Sequence, residues 1–100
     1  MSKSQINVLV IGAGSIGNHL SNACRKKNWN VSIYDKDIDA LNRTKNMIYP
    51  SRYGVWDNEI ILLKDLPQKT HFNVIIIGTP PDTHLHIAEN ILNSISSDLI

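Results

Sequence analysis

Short unbroken apolar runs alternate along this chain with stretches in which apolar side chains recur every three or four positions. Ile6 to Ile11, Ile-Asn-Val-Leu-Val-Ile, is β-branched and nearly continuous, and it stops at Gly12. Such a run predicts a strand covered on both faces, because a strand with one wet face would alternate polar and apolar residues. Behind the glycines, Ile16, Leu20, Ala23 and Cys24 recur at offsets of 4, 7 and 8. That spacing predicts a helix to about Asn28 with these four residues on its core side and Asn18, Asn22 and Arg25 elsewhere. Val31 to Tyr34 predicts a second strand. Asp37 then offers an N-cap ahead of Ile38, Leu41, Lys45 and Ile48, again at helical spacing, and Pro50 is expected to close that helix.

Tyr49 to Gln68 is less legible, since Pro50, Gly54 and Pro67 punctuate it and Tyr53 and Trp56 interrupt any period. Only a short third strand, Ile60 to Leu63, is expected there. Val74 to Ile77 is a second fully apolar run, ended by Gly78, and predicts a central parallel strand. A last helix carries Leu85, Ala88, Ile91 and Leu92. It begins no earlier than Pro81, which disfavours helical geometry at Pro80, and Asp82 is a plausible cap. Asp98-Leu99-Ile100 reads as a fifth strand cut short. Strands alternating with helices pair in parallel through right-handed crossovers, so the predicted fold class is α/β, a doubly wound parallel sheet of Rossmann type with about five strands. Residues 1–100 make one domain, and because a complete Rossmann domain has six strands, it is expected to be a truncated one.

Composition narrows the function. With 42% apolar and 19% charged residues the chain is neither a disordered tail nor a coiled coil. No window reaches the length of a membrane span, and Met1-Ser2-Lys3-Ser4-Gln5 has no signal-peptide core behind it, which points to the cytoplasm and away from membranes. Ten Lys and Arg against nine Asp and Glu leave a formal charge of +1 with no basic run. Nucleic acid is therefore not an expected partner. The single cysteine, Cys24, has no disulfide or zinc partner.

Gly12-Ala13-Gly14-Ser15-Ile16-Gly17 is a GxGxxG directly after a strand and opening a helix, the position that gives the pattern its meaning. Gly12 permits the tight turn, Gly14 leaves a pyrophosphate unobstructed, and Gly17 lets the helix pack closely on the strand. The helix's free N–H groups, at Ser15 and Ile16 among others, then face the phosphates. Asp35 ends the second strand 18 residues past Gly17, near the spacing of a carboxylate that hydrogen-bonds a ribose diol. It favours NAD, since a 2′-phosphate would meet it as like charge, although Asp is also common in plain solvated turns. The neighbouring cation Lys36 could balance a phosphate, which keeps NADP open, but an exposed lysine is the simpler account. Thr79 and Pro80 follow the strand that ends at Gly78, beside the switch point of the sheet, where they either line the nicotinamide half of a ligand or merely stiffen the start of the last helix.

His84 falls near that crevice, though a histidine at a helix start is more often a surface residue than a proton donor. His84 and His86 lie two apart and so point to different sides of a helix, and His19 and His71 have no chelating partner at useful spacing. No metal is expected. Cys24 reads as a small core side chain, and Trp29, Tyr53 and Trp56 as cover for the core.

Gly12-Ala13-Gly14-Ser15-Ile16-Gly17-Asn18-His19, taken with Val74-Ile75-Ile76-Ile77-Gly78-Thr79-Pro80-Pro81-Asp82-Thr83-His84 and then Ile87-Ala88, resembles the N-terminal half of the glucose–fructose oxidoreductase and inositol dehydrogenase family. The second block is the more specific of the two. The resemblance is weakest from Tyr49 to Thr70. It implies that Gly12, Gly14, Gly17 and Asp35 hold the adenosine half of NAD or NADP and that Thr79, Pro80 and His84 border the nicotinamide half. It also implies a Glu-Lys-Pro motif and a C-terminal substrate domain, which supplies the usual oligomer interface; neither is in these residues, so the catalytic groups are expected downstream of Ile100. The expected function is the cofactor-binding portion of an NAD(P)-dependent oxidoreductase acting on a sugar, cyclitol or polyol, inactive on its own. The alternative is a non-catalytic nucleotide-sensing module, which would use the same glycine loop and acidic residue but leaves Thr79 to His84 unexplained.

Overall fold

The computed structural model describes residues 6–67 and 71–78 together with the backbone of 96–99. Its strands are β1 (Asn7–Ile11), β2 (Asn30–Tyr34), β3 (Ile61–Leu63), β4 (His71–Ile77) and β5 (Ser96–Leu99). All pair in parallel, in the order β3-β2-β1-β4-β5. The chain starts at the centre, builds to one edge, and crosses back to build outward on the other side. This is the doubly wound sheet that the alternating pattern predicts. Direction reverses between β1 and β4, where Ile11 pairs with Ile77, and the crevice of such a sheet opens beyond those paired ends.

The apolar runs lie where a two-sided burial puts them. Val8, Leu9 and Val10 have no solvent exposure. Val8, Val10, Val31 and Ile33 face one core with Cys24, Leu41 and Tyr49, while Leu9, Ile11, Phe72 and Ile75 form a second cluster on the opposite face. β4 and β5 start earlier than the apolar pattern indicates, at His71 and Ser96, because a ladder needs only backbone. His71 pairs with Ser96 and Phe72 with Ser97. At the amino ends of the central strands, Asn30 Nδ2 donates to Asn7 Oδ1 at 3.0 Å and Asn7 N donates to Asn73 Oδ1 at 2.8 Å.

Helix α1 (Ser15–Lys26) is rotated away from the orientation its apolar stripe predicts. Ile16 is 63% exposed and Ala23 is also exposed, whereas Asn18 and Ser21 are fully buried beside Gly17 and Cys24. The cause is Gly17. A Cβ there would overlap the Gly12 carbonyl oxygen, so this backbone must lie against the turn, and positions four and seven residues later, Ser21 and Cys24, inherit the inner face. The Ser21 hydroxyl is satisfied, donating to Gly17 O at 2.7 Å. α1 ends at Lys26, slightly short of the predicted Asn28. Asn28 has φ 62°, and bonds from Asn28 N to Arg25 O (2.9 Å) and from Trp29 N to Cys24 O (3.2 Å) form a Schellman cap.

Asp37 caps α2 (Ile38–Arg43) as predicted, its carboxylate accepting from Asp39 N at 2.9 Å. Pro50, however, does not close the helix. The chain passes through a wide π turn at Thr44–Ile48 into α3 (Tyr49–Tyr53), which ends at Gly54 with φ 95°. Pro50 falls in the first turn of α3, where a missing N–H breaks no bond, and the wider turn before it relieves the clash with carbonyls behind its ring. Tyr49 is buried and meets Tyr53 and Trp56 edge-on, at centroid distances of 4.8 and 5.2 Å. With Trp29, those rings pack against the first core, as expected of cover. Arg25 fixes the segment from the other side, bonding Asp57 Oδ2 at 2.9 Å and Trp29 O at 2.8 Å. The helix predicted from Pro81 onward lies outside the described residues.

Candidate functional site

The glycine loop grows directly out of the sheet. Gly12 N donates to Tyr34 O at 2.8 Å and Gly78 N to Ile11 O at 2.8 Å, so the loop begins between the carboxyl ends of β2 and β4. Gly12 has φ 104°, a conformation that a side chain resists, which accounts for the first glycine. Gly17 is explained by its contact with Gly12. Gly14 is different. Its φ of −90° and ψ of −162° suit any residue, and among the described residues nothing lies within 4 Å of where its Cβ would be.

Nothing among the described residues therefore requires a glycine at position 14, and none of them fills the space above it. Around that space lie donors that α1 itself does not use. The helix's own bonding starts with Asn18 N donating to Gly14 O at 3.0 Å, so the amides of Ser15, Ile16 and Gly17 have no partner within α1. No acidic side chain occupies the first turn of α1. An open cradle edged by amides at the positive end of a helix fits a phosphate or diphosphate.

Asp35 meets this loop. Its Oδ2 accepts from Ala13 N at 3.1 Å across 22 residues of sequence, and its Oδ1 accepts from Asp37 N at 2.9 Å. Two amides thus hold the carboxylate at the edge of the cradle, with lone pairs left for a further donor. Lys36 is exposed, and Ile16, expected on the core stripe as well as at the site, stands in solvent in the first turn. The structure therefore brings Gly12, Gly14, Ser15, Ile16, Gly17 and Asp35 together. Thr79, Pro80 and His84 lie outside the described residues.

Residues 6–96 match the oxidoreductase family with an NAD-binding Rossmann fold that takes in glucose–fructose oxidoreductase and inositol dehydrogenase. The chain belongs to that family. No curated protein matches the chain closely enough to add to this. Among solved structures it superposes on a diketoreductase studied for substrate-directed dual catalysis of dicarbonyl compounds, with a TM-score of 0.71 and 20% identity, over 99% of this chain and 41% of that one. It also superposes on the lactate dehydrogenase of Cryptosporidium parvum, with a TM-score of 0.56 and 17% identity, over 96% of this chain and 35% of that one. At such identities the likeness speaks for the fold alone. The chain spans well under half the length of either structure.

This member of the oxidoreductase family also holds two polar residues beside its loop that the sequence pattern did not single out. Thr44 Oγ1 donates to Ala13 O at 2.7 Å, and Asn18 Nδ2 lies 2.8 Å from Gly14 O, 3.1 Å from Thr44 Oγ1 and 3.3 Å from Ala13 O. Both side chains are fully buried. A signal for Asn18 exists in retrospect, since Gly17, Ser21 and Cys24 are small residues at helical spacing and mark the face pressed on the sheet. Thr44 carries no such signal. Burial raises the pKa of Cys24 against the opposing pull of Lys27, in keeping with an inert core thiol. Among the described residues no three His, Cys, Asp or Glu gather to hold a metal ion, and no helix is long and apolar enough to cross a membrane.

Proposed function

We propose that this chain is the cofactor-binding part of an NAD-dependent oxidoreductase whose intact form passes hydride between nicotinamide and a hydroxyl or carbonyl carbon of a sugar, cyclitol or other polyol. Gly14 carries the proposal: a glycine that neither its own backbone angles nor its described neighbours require is accounted for by a ligand that needs the space. The amides of the first turn of α1 take the diphosphate. Asp35 accepts from the ribose diol of the adenosine half and repels a 2′-phosphate, so NAD is preferred to NADP despite the exposed Lys36. Thr79, Pro80 and His84 are assigned to the border of the nicotinamide half. Bound nicotinamide supplies the hydride chemistry, while these residues bind it, orient it and keep water away. The groups that contact the substrate we assign to the rest of the intact protein, which we place in the cytoplasm, with oligomerisation through that part.

Calorimetric titration of the full-length protein with NAD, NADP and ATP tests this. Tighter binding of NAD than of either rival is expected; a preference for ATP would instead identify a nucleotide sensor. Gly14→Leu supplies the structural control. Its side chain enters open space, so the melting temperature should hold while NAD binding falls at least a hundredfold. A variant that binds NAD as the parent does would place the ligand elsewhere.

A further inference from the structure

We infer that Thr44 and Asn18 are positioning residues for the dinucleotide, a buried clasp that holds the loop's amides facing outward; this rests on the reading of the loop as a diphosphate site. A trans peptide is planar, and its N–H points opposite its C=O. Ala13 O is turned inward, accepting from Thr44 Oγ1 at 2.7 Å with Asn18 Nδ2 at 3.3 Å, so the N–H of Gly14, in the same plane, is turned outward. Gly14 O is likewise held, by Asn18 N at 3.0 Å and Asn18 Nδ2 at 2.8 Å, which directs the Ser15 N–H. On the other side of Ala13, Asp35 Oδ2 holds the Ala13 N–H at 3.1 Å. Consecutive peptide planes of the loop are thus fixed from below before any ligand arrives, and binding then need not spend free energy on ordering them.

The clasp also carries a cost that packing does not explain. With its amide nitrogen facing the Ala13 and Gly14 carbonyls, Asn18 keeps Oδ1 buried with no hydrogen-bond partner among the described residues. An apolar residue of similar size would avoid that penalty but would take one donor from each carbonyl, leaving Ala13 O to Thr44 Oγ1 and Gly14 O to the backbone N–H of residue 18. Thr44, 26 residues away, begins the wide π turn, so the clasp links the middle of the α2–α3 segment to the loop.

The test uses the full-length protein with Thr44→Val, which keeps the shape and removes the hydroxyl, and Thr44→Ser, which restores it. Affinities are measured for NADH and ADP-ribose, which carry the diphosphate, and for adenosine, which does not, alongside the melting temperature. The expected result is a loss of roughly tenfold for NADH and ADP-ribose in Thr44→Val, with adenosine changed less than twofold and Thr44→Ser close to the parent. Equal losses for all three ligands, or none, overturn the clasp while leaving the diphosphate site standing. A parent protein that binds adenosine but neither diphosphate ligand overturns both. If Thr44→Val does not fold, Thr44→Ala removes the same hydroxyl without new bulk and is read by the same criteria.

Discussion

A methyl group added at Gly17 would overlap the Gly12 carbonyl oxygen, whereas one at Gly14 would meet none of the described residues. Gly17→Ala is therefore expected to lower the urea midpoint by an amount equivalent to about 3 kcal/mol, because backbone must move on both sides of the contact. Gly14→Ala should leave that midpoint in place. If the two variants unfold together, the close packing of α1 on the loop is not what distinguishes them. Asn18 supplies a second residue-scale test. Asn18→Asp would set a buried carboxylate against the Ala13 and Gly14 carbonyl oxygens that now accept from Nδ2, at an expected cost of roughly 3 kcal/mol or more. The turn at Gly12, the close packing at Gly17 and the place of Asp35 were legible because each follows from a local rule about turns, close approach and strand ends. Asn18 and Thr44 were not, since a polar residue acquires such a role only when chain 26 residues away comes to meet it.

At the scale of elements, the existence and type of the strands and of α1 and α2 were readable, their faces and ends less so, and α3 was missed. The apolar stripe of α1 misled because close contact at Gly17 sets the helix rotation more firmly than scattered apolar side chains do, leaving Ile16 in solvent and Ser21 inside. Pro50 misled because a proline breaks a continuing α-helix but is tolerated at the start of a new helical segment, which the π turn supplies. The end of α1 is testable. Asn28 sits at φ 62° in the position that glycine most often fills in a Schellman cap. Asn28→Gly should change stability by less than about 0.5 kcal/mol, while a β-branched side chain, which resists that backbone region, should cost about 1–2 kcal/mol in Asn28→Val. Thermal unfolding followed by circular dichroism separates the two; equal midpoints would show that the cap contributes little.

For the whole molecule, the parallel doubly wound sheet was readable because alternating strands and helices admit few right-handed arrangements, and among the described residues it leaves three groups whose protons the fold retains. Burial raises the pKa of Cys24 against Lys27. Burial first, then the charges of Asp35 and Asp65, raises that of Tyr34. For Tyr49, burial followed by Asp57 and Tyr53 outweighs Arg25. In each case the unfolded chain gives up its proton first, near 9.0 for the thiol and 10.0 for the phenols. Between that pH and the higher folded value, the unfolded state binds fewer protons than the native one, so stability declines as pH rises, by at most about 1.4 kcal/mol per pH unit for each group. These contributions are fully present below about pH 9 and are lost as pH rises through the folded values. Urea unfolding should therefore show a lower midpoint at pH 10.5 than at pH 8. Cys24→Ala should flatten the early part of that decline, and Tyr34→Phe and Tyr49→Phe the later part. A midpoint that holds level or rises over this range would mean that the fold does not retain these protons.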